Sequence, residues 1–560
     1  MTLQKVNSKI VEILKKENVE YVFGLPGGHN CAILYDALYG ETKIKPILSR
    51  HEGAASFIAF GYSYVTGKVG FLSVAPGPGW AQAVPGIHEA RGAKIPMIVL
   101  AGDVSSQQYG KGTAQEIPVM QSMTPVCKWS YSVNKAETIP WVFRRAFSLS
   151  LNNPPGPVFI NIPIDIGQEE REFEEYKRAK YVLSQADPRD IEKASEILLN
   201  SKKPIVIVGR GILASKAYEE IRIFIETLGC PILTTNSGKG AIDEYHPLYA
   251  GSVGINATDV SKKVYEESDC MFWIGSQIEQ FAAGDWDPIP EGKKFIHADA
   301  DVFQIGRNWN PDVALVGDAK LILLQLINNL SGKGKNRYDW KKILKEAWDK
   351  YNSKMDSTFL DQMEVAHPYW IIKEINNQID KDGIIVLGEG ANRVWTATYS
   401  RVRTPGNWVS ASDYGCMGLS VAAAIGVKLG KPGSQVICIT GDGSFQMQMQ
   451  ELAVAVEYKL PITWVVLNNN SLGWIKWIQK EFHGGRYISV DYKKNWKFDK
   501  VAEAIGSYGF KAETNKQFSE ALNQALKVNE EGYCAVIDVY IPDLDFTPGF
   551  LEHQSSRFKD

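Results

Sequence analysis

Two short stretches carry side chains suited to gathering a cation and an anion in one place. Gly441-Asp442-Gly443-Ser444 follows the β-branched run SQVICIT and opens the helical pattern FQMQMQELAVAVEY. Glycines let the main chain approach a ligand closely, and amides at a helix N-terminus favour an anion. Asp442 puts a hard oxygen donor beside that anion. The next strand-like run, ITWVVL, ends in Asn468-Asn469-Asn470. Neighbouring parallel strands bring their carboxyl ends to one edge of a sheet, where ligands of such folds bind. A carboxylate, an amide oxygen and a carbonyl, completed by phosphate oxygens and water, suit octahedral Mg²⁺.

A second stretch carries a carboxyl group of a different kind. Ser49-Arg50-His51-Glu52-Gly53-Ala54-Ala55-Ser56 follows the strand-like run IKPIL and opens a helix of small residues. A glutamate in a first turn is favoured by the helix dipole whatever its role. Held in a dry pocket, the same group shares a proton near neutrality and serves as acid or base. In Leu25-Pro26-Gly27-Gly28-His29, His29 brings an imidazole to another glycine-rich loop, either as a proton carrier or as a ring satisfied by main chain.

Groups so far apart in sequence need a scaffold that brings strand ends together. Three stretches repeat one rhythm of β-branched run, glycine-rich turn and helical pattern: VEYVFGLPGGHN, KPIVIVGRGILAS and SQVICITGDGSFQMQMQELAVAVEY. Alternating strand and helix signals predict an α/β fold of three consecutive doubly wound parallel-sheet domains. Two charged, apolar-poor stretches, QEEREFEEYKRAK (168–180) and SGKGKNRYDW (331–340), read as linkers. The expected division is 1–170, 185–332 and 355–545, with a tail over 546–560. Near the N-terminus Val6, Ile10 and Leu14 recur at helical spacing, so a first amphipathic helix is expected there and not a signal peptide.

Composition narrows the class. The 560 residues include 61 Lys and Arg against 64 Asp and Glu, a net charge of −3, with 44% hydrophobic and 22% charged residues. That balance suits large packed cores and lacks the concentrated cationic surface of a nucleic-acid binder. No apolar run reaches the roughly 18–20 residues needed to cross a bilayer, so no membrane partner is expected. The 7 cysteines never form Cys-x-x-Cys, which fits reduced thiols of a cytoplasmic protein better than disulfides or zinc.

Gly441-Asp442-Gly443, followed at this spacing by Asn468-Asn469, resembles the fingerprint of the thiamine-diphosphate (ThDP) enzymes. The resemblance runs along essentially the whole chain and implies pyrimidine-binding, central and diphosphate-binding domains in that order. It implies that Asp442, Asn469 and the Ser471 carbonyl hold Mg²⁺, that Gly441, Gly443, Ser444, Leu472 and Gly473 contact the cofactor, and that Asn468 is a neighbouring structural amide. Ser49–Ser56 resembles the Arg-His/Asn-Glu-x-Ala-Ala motif, which makes Glu52 the acid that hydrogen-bonds the aminopyrimidine ring. Tyr414-Gly415-Cys416-Met417-Gly418 resembles the family's Gly-x-Met-Gly turn. There the methionine bends the cofactor and the main chain before it accepts from the ring, implicating Gly415 and Met417. Gly28 and His29 lie in a loop similar to the one lining the reaction chamber, and Gln115 of Gln115-Glu116 matches a chamber glutamine. Ala75-Pro76-Gly77-Pro78-Gly79 looks like the family's cofactor-adjacent turn, with Pro76 against ThDP. In the family each site joins the pyrimidine domain of one subunit to the diphosphate domain of another, implying a homodimer or homotetramer.

Substrate choice divides the motifs. RHEGAA, PVCKWSYSV and NNNSLG resemble acetolactate synthase, which joins two 2-oxo acids. Gly388-Glu389-Gly390-Ala391-Asn392 instead resembles oxalyl-CoA decarboxylase and 2-hydroxyacyl-CoA lyase, and LGWIKW (472–477) departs from the synthase pattern. The resemblance thus leans to cleavage of a 2-hydroxyacyl-CoA into an aldehyde or ketone plus formyl-CoA. Acetolactate synthase-like decarboxylation and condensation of 2-oxo acids is the alternative. Benzaldehyde-lyase-like acyloin chemistry and a catalytically silent ThDP-binding protein stand behind it. On the acyl-CoA reading Asn392, Arg401 and Arg403 sit at the chamber edge, where guanidinium groups suit phosphates. Trp474, Trp477, Glu481 and His483 follow the metal motif on the substrate side, and the tail with Arg557 and Lys559 closes over a bulky substrate. In the central segment Gly209-Arg210-Gly211 is a partial Gly-x-Gly. His297-Ala298-Asp299-Ala300-Asp301 resembles a strand whose acid meets the ribose of ADP, CoA or FAD, so a nucleotide there is one further expectation.

Overall fold

The computed structural model describes residues 3–284, 292–333, 339–411, 414–543 and 546–557, with side chains as far as residue 552. Three six-stranded sheets, each parallel throughout, carry the chain. The first runs Lys45–Leu48, Tyr21–Gly24, Gly70–Val74, Met97–Asp103, Pro157–Pro163, Trp129–Ser132 across its width. Its strands GFLSV, MIVLAGD and PVFINIP are buried at every residue, as a sheet covered on both faces requires. The third runs Trp408–Ser410, Ile384–Leu387, Val436–Gly441, Thr463–Asn468, Ala535–Tyr540, Tyr508–Ala512. Counted from each sheet's own first strand, both have the order 2-1-3-4-6-5, whereas the middle sheet has the dinucleotide-fold order 3-2-1-4-5-6.

In such sheets the winding reverses beside the first strand, and ligands bind in the crevice beyond the carboxyl ends there. In the first sheet that point lies between Tyr21–Gly24 and Gly70–Val74, and in the third between Ile384–Leu387 and Val436–Gly441. The glycine-rich motifs fall at both.

Two compact units emerge. The first comprises Met1–Val182, Ala411–Gly433 and Met447–Ile462; the second comprises Leu183–Ser410, Ser434–Gln446 and Thr463–Asp560. Within the first unit, helix Leu419–Gly430 packs along helix Glu52–Thr66. A methyl group on Gly61 would lie 2.1 Å from the Ala423 carbonyl oxygen, and one on Gly426 only 1.9 Å from that of Ile58. Main chain meets main chain there, which only glycine allows. Gly61 and Gly426 thus mark a close interhelical contact.

Within the second unit a buried ion pair joins Lys239 to Glu244 at 2.7 Å, the side chains being 1% and 0% exposed. Lys239 Nζ also donates to the Ser400 carbonyl at 2.9 Å, and Glu244 Oε2 accepts the Val402 N–H at 3.1 Å. Burial pushes the Lys239 ammonium below its ordinary range, opposed by Glu244.

Several expectations change. The first helix spans Val6–Lys16 with Val6, Ile10 and Leu14 fully buried, but Leu3–Lys5 before it is a strand. That strand pairs antiparallel with Glu170–Glu172, inside the stretch expected to be a linker. Phe173, Tyr176 and Ala179 then enter the first core, so 168–180 is docked chain whose charges mark only its outer side. Of the second expected linker, 334–338 lies outside the described residues, and helix Trp340–Thr358 starts at its end. The single helix expected after Gly441 starts at Asp442 itself and is interrupted: Asp442–Gln448, a 3₁₀ turn Met449–Glu451, then Leu452–Glu457. All 7 cysteines are free, and no described helix is long and apolar enough to cross a membrane.

Candidate functional site

At the reversal point of the third sheet, Val436–Gly441 delivers Asp442 to the first turn of its helix. Asp442 is 3% exposed. Its Oδ1 accepts the Gly443 N–H at 2.8 Å, while Oδ2 is buried with no hydrogen-bond partner among the described residues. Burial pushes this carboxyl up to about 7, against the main-chain N–H groups of Gly443, Ser471 and Asn470. A buried carboxylate oxygen without a donor is costly unless something else satisfies it. A methyl group on Gly441 would meet only Asn392 Oδ1, at 3.7 Å among the described residues, so the main chain there is open to a ligand.

The neighbouring strand Thr463–Asn468 ends beside it. Asn468 Nδ2 donates to Asp538 Oδ1 at 2.9 Å and its Oδ1 accepts the Asn470 N–H at 3.1 Å, so this amide holds the loop together. Burial pushes the Asp538 carboxyl up to about 6. Asn470 takes a left-handed φ of 57°, which asparagine tolerates better than most residues. Asn469 Nδ2 donates to Ser471 Oγ at 2.8 Å, and Leu472 N–H donates to the Val490 carbonyl at 2.8 Å. A methyl group on Gly473 would lie 3.0 Å from Asn469 Nδ2, so a side chain at 473 would crowd the amide. The donors gathered here are hard oxygens (Asp442 Oδ2, Asn469 Oδ1, the Ser471 carbonyl) and fit Mg²⁺ held with a diphosphate.

The first unit builds a second constellation. Glu52 starts helix Glu52–Thr66, whose N-cap His51 accepts the Gly53 N–H through Nδ1 at 3.0 Å. Around it the loops converge. A methyl group on Gly79 would lie 3.7 Å from Glu52 Oε1, one on Gly27 2.8 Å from Ala75 Cβ, and one on Gly77 3.1 Å from the Gln115 carbonyl. Gly102 meets His29 in the same way, at 2.9 Å from its Cβ. Glu52, Gly28, His29, Pro76 and Gln115 thus belong to one region at the carboxyl edge of the first sheet. Gln115 has a φ of 70°, a left-handed conformation that is strained for a non-glycine residue. Its neighbour Glu116 is spent on the loop, accepting N–H groups of Gly110 and Thr113.

The Tyr414–Gly418 turn, also in this unit, is pinned from below. Glu89, 0% exposed, accepts the Cys416 N–H at 2.6 Å, and Tyr414 stacks on His88 with ring centroids 4.8 Å apart. Met417 is half-buried beside them.

Other expected residues are elsewhere. Asn392 is buried at the Gly441 turn, with Nδ2 3.5 Å from the Ile439 carbonyl. Arg401 lies 4.0 Å over the Trp348 ring and Arg403 5.1 Å over Tyr245, so the two guanidinium groups are engaged by aromatic faces. Trp474 and Trp477 pack with Phe546 and Phe550 in an aromatic cluster, the shortest centroid distances from the tryptophans being 4.7 and 4.9 Å to Phe546. Glu481 and His483 are exposed at the end of helix Gly473–Phe482. The tail forms helix Pro548–Arg557, while the Arg557 side chain and Lys559 lie outside the described residues.

The central glycines are consumed by packing. A methyl group on Gly209 would lie 2.4 Å from the Gly275 carbonyl oxygen, and one on Gly211 2.5 Å from Gly275 Cα. His297 shares a 2.9 Å hydrogen bond with the Ser276 carbonyl, and Asp299 accepts the Asp301 N–H at 2.8 Å. Three acids of the first and third segments were not anticipated: Glu89, Glu451 and Asp543. Only Glu451 carried a signal, as a lone acid in the apolar run QELAVAV.

Three domain families match the chain in order. The N-terminal thiamine pyrophosphate binding domain matches residues 4–123, the thiamine pyrophosphate enzyme central domain 191–326, and the C-terminal thiamine pyrophosphate binding domain 388–539. The chain is 35% identical over 541 residues to a probable acetolactate synthase large subunit of Methanococcus aeolicus, covering 93% of this chain and 90% of that protein. It is 33% identical over 550 residues to the acetolactate synthase large subunit of Buchnera aphidicola subsp. Schizaphis graminum, covering 95% and 94%. With that of Corynebacterium glutamicum it shares 31% identity over 532 residues, covering 93% and 84%.

Proposed function

Because this chain belongs to the thiamine-diphosphate enzymes of the acetolactate synthase superfamily, we propose that it decarboxylates one 2-oxo acid and joins the remainder to another. The observation that carries the reading is the end-to-end similarity to proteins named acetolactate synthase large subunit. This exchanges the order of the two leading expectations. The 2-hydroxyacyl-CoA reading drew on Gly388–Asn392 and on the departure at 472–477, and on it Arg401 and Arg403 would meet phosphates. Each guanidinium lies over an aromatic ring, and Asn392 lies at the Gly441 turn.

Bound ThDP supplies a nucleophilic carbon for the substrate carbonyl and a sink for the electrons of the breaking C–C bond. The chain's own residues bind, orient and move protons. Asp442, Asn469 and the Ser471 carbonyl would hold Mg²⁺, supported by the donorless Asp442 Oδ2. Main-chain amides of Gly443 and Ser444 at the helix start would take the diphosphate. The Glu52 carboxyl would share a proton with the aminopyrimidine ring, and Gly415 and Met417 would hold that ring in place. Gln115 and His29 would face substrate, and the strained Gln115 backbone supports a binding role. No nucleotide phosphate is assigned to Gly209–Gly211, whose glycines serve backbone packing. The active assembly is a homodimer or homotetramer with Glu52 and Asp442 of each site on different subunits.

Purified protein with ThDP and Mg²⁺, given pyruvate or a 2-hydroxyacyl-CoA, tests the reading. Release of CO₂ and acetolactate from pyruvate is expected. Formyl-CoA formation without acetolactate would overturn it. A fully active monomer in sedimentation would remove the shared-site assembly.

A further inference from the structure

A carboxamide can bind a cation only through its oxygen, so an asparagine ligand must be held with its nitrogen turned away. Asn469 has such a hold. Its Nδ2 lies 3.1 Å from Asp543 Oδ1 and 2.8 Å from Ser471 Oγ, and Ser471 Oγ donates to the same Asp543 oxygen at 3.2 Å. An ionised carboxylate accepts and never donates, so it selects the amide orientation in which Nδ2 faces it. Asn469 Oδ1 then points the other way and accepts no hydrogen bond among the described residues. Lys476 pins the second oxygen of Asp543 and bonds Asp491 at 2.7 Å, holding the carboxylate in register and offsetting its charge.

Asp543 itself is fixed from the far side. It follows strand Ala535–Tyr540 by three residues and precedes Phe546, whose ring packs on Trp474 and Trp477. Those tryptophans belong to the helix Gly473–Phe482 that starts beyond Asn469. The segment after the last strand therefore grips the Asn469–Lys476 stretch at two places, one polar and one aromatic.

We propose that Asp543 is a positioning residue for the metal site, orienting the Asn469 amide oxygen toward the cation held by Asp442. The proposal rests on the assignment of Asp442 and Asn469 to Mg²⁺. Outer partners of metal ligands commonly change metal affinity by about 10–100-fold when removed. D543A frees the amide to turn and loosens Ser471 at the same time, whereas the metal-free fold keeps its aromatic anchor.

The test is Mg²⁺ affinity of the full chain in the presence of ThDP, read by titration calorimetry, for wild type, D543A, D543N and D442A. D543A should bind Mg²⁺ at least about tenfold more weakly. Its metal-free melting should match wild type, and excess Mg²⁺ should restore ThDP binding. D543A within twofold of wild type, with D442A unable to bind, overturns the proposal and leaves the metal assignment standing. D442A binding like wild type removes the assignment itself. Should D543A not fold, D543N carries the test, because its neutral amide accepts more weakly and can itself turn. Unchanged affinity in D543N then overturns the proposal.

Discussion

Both carboxylate oxygens of Glu451 accept the main-chain N–H of Arg50, at 3.0 and 3.2 Å. Arg50 stands two residues before Glu52, and Glu451 is completely buried in the 3₁₀ turn Met449–Glu451. The grip is extended by Glu457, which takes the Arg50 guanidinium, and by Tyr458, whose hydroxyl accepts the Leu48 N–H at 3.0 Å. A stretch that follows the glycine turn by only a few residues thus sets the main chain from which the proposed activating acid projects.

Burial pushes the Glu451 carboxyl up to about 7 from an ordinary 4.5. The folded state therefore holds a proton that the unfolded chain has released, and the stability it contributes is present below about 4.5 and lost as pH rises through about 7. At roughly 1.4 kcal/mol per unit, the loss totals about 3 kcal/mol. E451Q cannot ionise and should escape it. Denaturation midpoints of E451Q and wild type should move apart between pH 5 and pH 8, with the variant gaining. Parallel profiles would show that Glu451 does not titrate in this window.

Glu52→Gln should still bind ThDP, because the side chain keeps its size and the Asp442 region is untouched. Loss of the shared proton should slow exchange of the thiazolium C2 proton by on the order of 10²–10⁴-fold. Exchange followed by NMR at the wild-type rate would remove Glu52 from the acid's role.

Glu89 holds the Cys416 N–H at 2.6 Å. The peptide joining Gly415 to Cys416 is planar and trans, so fixing its N–H fixes its carbonyl in the opposite direction. A hydrogen bond to a charged group contributes about 1.5–3 kcal/mol. E89A should raise the ThDP concentration for half-maximal activity about tenfold or more, while E89Q, which keeps an acceptor, should stay near wild type. Equal behaviour of the two variants would mean that the contact does not orient the turn.

Removing one partner of a buried ion pair strands the other charge, at about 3–5 kcal/mol. E244L should accordingly destabilise the second unit strongly, because Lys239 is fully buried. The double variant K239M/E244L should recover most of that loss in calorimetric melting. A double variant as unstable as E244L would show that the contacts to Ser400 and Val402 dominate instead.

The scaffold was largely legible. Buried parallel strands read as unbroken β-branched runs, so SQVICIT and ITWVVL announced Val436–Gly441 and Thr463–Asn468, and the glycine turns stood at the sheet edges where winding reverses. The turns that carry Glu52, Asp442 and Asn469 were legible because each has a local motif. Glu89 and Asp543 were not, since each acts on main chain or amide groups far from it in sequence, and a single acid leaves no period; Glu451 showed only as a lone acid in an apolar run. Arg401 was legible only as a charge: a guanidinium can meet a phosphate or lie over an indole face, and only the fold shows that Trp348 is beneath it. The stretch 168–180 misled because its charges outnumber the three apolar residues that anchor it.

The interleaving of the two units limits how this chain can be taken apart. Helix Leu419–Gly430 is needed to cover helix Glu52–Thr66, and the two touch through glycine at main-chain distance. A fragment ending near residue 182 would lack helix Leu419–Gly430 and leave bare the face around Ile58, Gly61, Tyr62 and Val65. Circular permutation or fusion that separates residues 411–462 from the N-terminal segment meets the same obstacle. The three domain families follow one another along the sequence, whereas the first compact unit takes in pieces of the first and the last.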